Sequence, residues 1–183
     1  MQPVMRRFAA EWLGTSFLLA AVVGSGIMAT KLAGGNAALA LLCNTLPTGA
    51  ILTVLILTFG PLSGAQFNPA VSIASALRRE MMWSDMAFYV VAQVSGAVFG
   101  VWIAHSMFGL PMWQLSATAR RSRTMARRVR GNVWIVAHYP GMKSSARTPA
   151  AVPYAVGLYI TSAYWFTAST SFANPAVTCA VAF

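Results

Sequence analysis

Three long apolar stretches dominate the pattern of the chain, at residues 8–30, 37–58 and 86–108. Each is long enough to cross the roughly 30 Å hydrocarbon core of a bilayer as an α-helix. A fourth, moderately apolar segment covers residues 149–165. Polar positions gather between these stretches. Arg6 and Arg7 precede the first, and a short turn at residues 31–36 leads into the second. Gly60-Pro61 closes the second, and Arg78-Arg79-Glu80 stands before the third. Cations favour the cytoplasmic ends of spans, so the N-terminus and the Arg78-Arg79 turn are both expected inside. The first stretch is too long for a signal-peptide core and more spans follow, so it reads as a retained span.

Few polar side chains enter the apolar stretches. Glu11 lies in the first, where a carboxylate is costly and therefore marks a functional candidate. Gln93 lies in the third, followed by the small pair Gly96 and Ala97. Gly14, Gly24 and Gly26 suit close helix packing. After the second stretch comes Ser63-Gly-Ala-Gln-Phe-Asn68-Pro69-Ala70-Val-Ser-Ile-Ala74, and its centre returns as Asn174-Pro175-Ala176-Val-Thr-Cys-Ala180. Asn is a favoured N-cap and Pro fits the first helical position, so each pair predicts the start of a short helix. Helix starts inside hydrocarbon are tolerated only where they line a cavity. Two copies, each followed by Ala-Val-Ser/Thr, make a strong signal.

Composition agrees with a membrane class: 57% of the 183 residues are hydrophobic and 9% are charged, against about a quarter charged in soluble domains. The net charge is +10, from 13 Lys and Arg against three acidic residues. Eight of those 13 cations lie between Arg120 and Arg147, so the excess is local. Cys43 and Cys179 stand in apolar or motif stretches and predict no disulfide framework. No metal-ligand spacing, nucleophile–base pair or phosphate-cradling loop stands in the sequence, so no cofactor and no enzymatic activity are expected. His105 and His138 stand alone and read as incidental.

The duplicated motif resembles that of the aquaporin and glycerol-facilitator family, the major intrinsic proteins. The resemblance covers residues 5–110, lapses over roughly 119–146 and resumes from Arg147. It implies an all-α membrane protein of two inverted repeats, each contributing one Asn-Pro-Ala half-helix to a meeting point at mid-membrane. It implies that Asn68, Pro69, Ala70, Asn174, Pro175 and Ala176 form the pore motif, and that Glu11 and Gln93 support a pore loop. By the same resemblance the outer constriction falls on Thr48, Ser162, Ser171 and Val177. None of these is bulky, and Val177 replaces the arginine of water-selective members. The implied function is a passive channel for water or small uncharged solutes such as glycerol or neutral arsenite. The implied setting is a multi-pass protein of a bacterial inner membrane, with the lipid bilayer and a homotetramer as its partners.

Residues 119–146 break the pattern. A run from Ala119 to Arg130 carrying six arginines cannot enter a bilayer. The chain is expected to divide into a first repeat at 1–118, an aberrant basic segment at 119–146 in place of the fourth span, and a partial second repeat at 147–183. The fold expected is thus an incomplete aquaporin-like one, with about four spans and no sixth. With the fourth span missing, the segment at 149–165 should run inward, residues 167–174 should lie inside, and the two motif loops should be unable to meet. An impaired channel follows. The codons permitted for residues 125–140 allow an apolar segment in the forward-shifted frame, so a shifted reading frame is the expected origin of the basic run. The alternative is a membrane-anchored protein whose arginines bind nucleic acid or anionic lipid; the run lacks interleaved aromatics, and no nucleic acid partner is expected.

Overall fold

The computed structural model describes residues 3–113, 149–167 and 174–180. Their regular structure is helical throughout: α1 (Val4–Leu32), α2 (Ala37–Ser63), α3 (Pro69–Leu77), α4 (Trp83–Met107), α5 (Val152–Phe166) and α6 (Pro175–Ala180). A 3-10 turn, Pro149–Ala151, leads into α5. Among the described residues, three helices, α1, α2 and α4, are long and apolar enough to cross a membrane. Their outward faces carry exposed Leu13, Phe17, Leu42, Val54, Phe88 and Val91, which is what a helix facing lipid should show.

The spans run longer than the sequence predicts. α1 takes in Arg6 and Arg7, and α4 begins three residues before position 86. The larger difference is in α2, which passes through Gly60-Pro61 and ends at Ser63. Proline removes one amide donor and crowds the preceding turn, so Pro61 costs the helix its bond to the Leu57 carbonyl without ending it, as Pro47 does further up α2. Gly64 stops the helix instead: its φ of 90° is open to glycine, and its amide closes on Gly60 O at 3.0 Å.

Direction follows from the contacts. Ser25 donates to Asn44 Oδ1 and Ser63 to Glu11 Oε1, so α1 and α2 are antiparallel. Glu11 meets Gln93, and the Gly96 and Gly100 backbones lie against the Trp12 and Ser16 carbonyls, so α1 and α4 run parallel. α5 lies on α2, with Tyr164 at Thr48 and Thr53 at the Pro153 carbonyl, hence antiparallel to it. The apolar core between the helices includes Leu19, Leu55, Ile56, Phe67, Val71, Val101 and Val156.

This arrangement corrects the sidedness expected from the sequence. α5 runs parallel to α1 and α4, not opposite to them, and starts at the end of the bundle that holds Arg6, Arg7, Arg78 and Arg79. That basic end is the inner one by the charge rule. The reason is the α2–α5 seam. Gly49 and Thr53 on α2 face Gly157 and Thr161 on α5 in a reciprocal fit. A Cβ on Gly49 would overlap Thr161 Oγ1 and stand 2.8 Å from Gly157 O, and one on Gly157 would overlap Thr53 Oγ1 and stand 2.7 Å from Gly49 O. Thr53 Oγ1 bonds Gly49 O, and Thr161 Oγ1 bonds Gly157 O, at 3.0 and 2.9 Å. The seam thus has a two-fold character that fits inverted repeats. The boundaries expected at residues 118 and 146, the basic segment and His138 lie outside the described residues.

Candidate functional site

The site is built where α3 and α6 begin. Asn68 caps α3 with an extended backbone (φ −153°, ψ 115°), its Oδ1 accepting from Ala70 N at 3.0 Å. Asn174 Oδ1 accepts from Ala176 N, also at 3.0 Å. The first turns repeat the match. Ser72 N bonds Asn68 O and Thr178 N bonds Asn174 O, both at 3.0 Å. The Ser72 and Thr178 hydroxyls return to the same two carbonyls at 3.3 and 3.1 Å. Pro69 and Pro175 each take the first helical position, where a missing N–H is harmless.

The two motifs meet. Asn174 Nδ2 donates to Phe67 O at 2.7 Å, and α3 contacts α6. The expectation that the motif loops cannot come together is therefore overturned, and the direction of α5 is the reason.

The loop ahead of Asn68 is held in a costly shape. Ala65 and Phe67 both adopt φ of 48°, a left-handed backbone that costs a side-chain-bearing residue roughly 1–2 kcal/mol. Glu11 offsets this. It is 0% exposed, and its carboxylate takes four donors. Ser63 Oγ and Gln66 N reach Oε1 at 2.6 and 2.9 Å; Phe67 N and Gln93 Nε2 reach Oε2 at 2.8 and 2.9 Å. Gln93 Nε2 also lies 3.0 Å from Ser72 Oγ, tying α4 to the first half-helix. One turn along α1 from Glu11, Gly14 leaves room for the Phe67 ring, whose atoms a Cβ there would overlap. Gly24 and Gly26 lie nearer to Phe108 and Asn44.

The four constriction positions do not converge in one described group. Thr48 is buried and donates to Asn44 O at 2.9 Å. Ser162 is exposed and donates to Leu158 O on its own helix. Across from Thr48 stands Tyr164, its hydroxyl 3.5 Å from Thr48 Oγ1, a residue that no motif in the sequence singles out. Val177 is partly buried against the apolar core, and Ser171 lies outside the described residues. His105 Nδ1 stands 3.0 Å from Pro111 O in the turn after α4. Cys43 is a free, exposed thiol.

An all-α membrane scaffold whose paired Asn-Pro helix starts abut is the class that these contacts define. The chain belongs to the major intrinsic protein family, whose sequence profile matches residues 1–136. It is 51% identical over 180 residues to aquaglyceroporin AqpS of Rhizobium meliloti, an alignment covering 97% of this chain and 76% of that protein. It is 36% identical over 104 residues to aquaglycerol porin AQY3 of Saccharomyces cerevisiae, covering 57% of this chain and 16% of that protein. With probable aquaporin NIP7-1 of Arabidopsis thaliana it shares 33% identity over 106 residues, 58% of this chain and 38% of that one.

Proposed function

We propose that the chain forms a passive pathway for water and small uncharged solutes of the glycerol class across a bacterial inner membrane, working as a homotetramer. The observation that carries this reading is the Asn174–Phe67 bond, because it brings two helix N-termini together. Each Asn spends its oxygen on its own helix. An amide nitrogen carries two N–H groups. With one from Asn174 given to Phe67 O, the other can donate to an oxygen in the pathway. Backbone N–H groups at the helix starts add partial positive charge, which disfavours cations at the same point. An uncharged hydroxyl compound fits this chemistry better than an ion.

If the outer constriction falls where the resemblance puts it, Val177 in place of a cation and the small Thr48, Ser162 and Ser171 suit a solute larger than water. The names of AqpS and AQY3 point the same way. An arginine-rich membrane anchor for nucleic acid or lipid is not favoured. The inability of the motifs to meet no longer counts against conduction. Purified protein in vesicles, mixed rapidly with a glycerol gradient, should relax several times faster than protein-free vesicles. Equal rates with folded protein present would refute the reading.

A further inference from the structure

A ladder of polar side chains runs along the contact of α1 and α4, and its inner half is not explained by the motif alone. Arg7 and Glu11 stand one turn apart on α1; Asp85, Tyr89 and Gln93 stand at one-turn intervals on α4. Arg7 Nη2 pairs with Asp85 Oδ2 at 2.5 Å, the two side chains being 14% and 10% exposed. The Arg7 guanidinium carbon lies 5.7 Å from the centroid of the Tyr89 ring. Tyr89 in turn donates its hydroxyl to Ser63 O at 2.7 Å. Ser63 Oγ donates to Glu11 Oε1 at 2.6 Å and accepts from Ala65 N at 3.0 Å.

Ser63 is the last residue of α2. Its carbonyl is one of the four that a helix end leaves without an intrahelical donor, and Tyr89 provides one. We propose that Tyr89, held in place by the Arg7–Asp85 ion pair, is a positioning residue that fixes the first Asn-Pro-Ala loop from the inner side and thereby tunes solute preference. The proposal rests on the channel reading given above. Its physical ground is the strained run from Ala65 to Phe67, which persists only if both of its ends are held. Glu11 holds the far end through the Gln66 and Phe67 amides. At the near end Glu11 holds the Ser63 hydroxyl and Tyr89 the Ser63 carbonyl. Any shift there is passed on to the Phe67 carbonyl, where Asn174 is bound. Arg7 Nε is buried without a hydrogen-bond partner. A largely buried ion pair with an orphan donor is a poor stabilising device compared with apolar packing, which favours a role in fixing geometry.

Tyr89→Phe tests this, since it deletes one hydroxyl and keeps the ring. The full chain in lipid nanodiscs is read by amide hydrogen exchange, and in vesicles by glycerol and water permeability. The Gln66 and Phe67 amides should exchange about fivefold faster, the factor that one lost hydrogen bond allows. Amides of α2 before residue 58 should not change, and the glycerol-to-water permeability ratio should shift about twofold or more, a smaller share of the same hydrogen-bond energy. Should Tyr89→Phe fail to fold, Arg7→Asp alone should release the loop and Arg7→Asp with Asp85→Arg should restore its protection. Unchanged exchange at Gln66 and Phe67, a uniform rise along all spans, or a released loop with an unaltered permeability ratio each overturns the proposal. A folded parent with a protected loop and no conduction overturns the channel reading instead, while loop release in Tyr89→Phe would still support the tether.

Discussion

Glu11 shows how a single side chain can hold a backbone that would otherwise relax. Four donors from α2, the loop and α4 converge on its two oxygens, with no exposure to solvent. Glu11→Gln keeps the shape but exchanges one acceptor oxygen for an NH2 group that opposes the donors facing it. At least two donors then lose their acceptor, at about 1–3 kcal/mol each. The variant should unfold in detergent with a stability lower by about 2–6 kcal/mol. Glu80→Gln, at a partly exposed pair with Arg78, should change stability by less than about 1 kcal/mol. Similar denaturation curves for the two variants would contradict this account of the loop. Glu11 and Asn68 were both legible in the sequence, one as an acid at membrane depth and the other as a cap ahead of proline. The left-handed Ala65 and Phe67 and the bond from Tyr89 were not. They depend on where α1 and α4 come together, which no local pattern encodes.

At the scale of elements, the α2–α5 crossing decides how the second motif is delivered. Gly49-x-x-x-Thr53 and Gly157-x-x-x-Thr161 carry the same pattern on two helices far apart in the chain. The pattern went unread in the sequence because its meaning is tertiary: each glycine is small for the sake of the other helix. The boundaries of α2 were misread for a different reason. Gly60-Pro61 is a strong local stop signal, but tertiary packing and a glycine C-cap at Gly64 extend the helix by one turn. Gly49→Ala would drive a Cβ into Thr161 Oγ1 and against Gly157 O, and overpacking of this kind costs about 1–3 kcal/mol. Thr161→Ala removes the hydroxyl but leaves the carbonyl in place. The double variant should therefore regain part of the loss, with a coupling of about 0.5 kcal/mol or more in a double-mutant cycle of unfolding free energies. Strict additivity would mean that the two residues do not share a seam.

The direction of α5 is a property of the whole molecule, and the sequence alone gave it wrongly. Counting spans from the charge rule places the fourth apolar segment after an outward one and so turns it inward. The count is sound only when every crossing is seen in the sequence. The structure fixes direction by contact instead. Reversing α5 would separate Gly49 from Thr161 and Thr53 from Gly157, and would carry Tyr164 away from Thr48. The exposed aromatics are consistent with a membrane-spanning bundle of this kind. Trp83 marks the inner end on α4, Trp113 follows its outer end, and Trp165 with Phe166 ends α5 at the level of Thr48. Aromatic residues favour both membrane interfaces, and this orientation puts an exposed tryptophan at each. A topology reporter fused after Thr167 should consequently read the outer, periplasmic side, like one fused after Trp113 and unlike one fused after Glu80. A cytoplasmic signal after Thr167 would detach α5 from α2 and, with it, the Asn174–Phe67 meeting on which the channel reading depends.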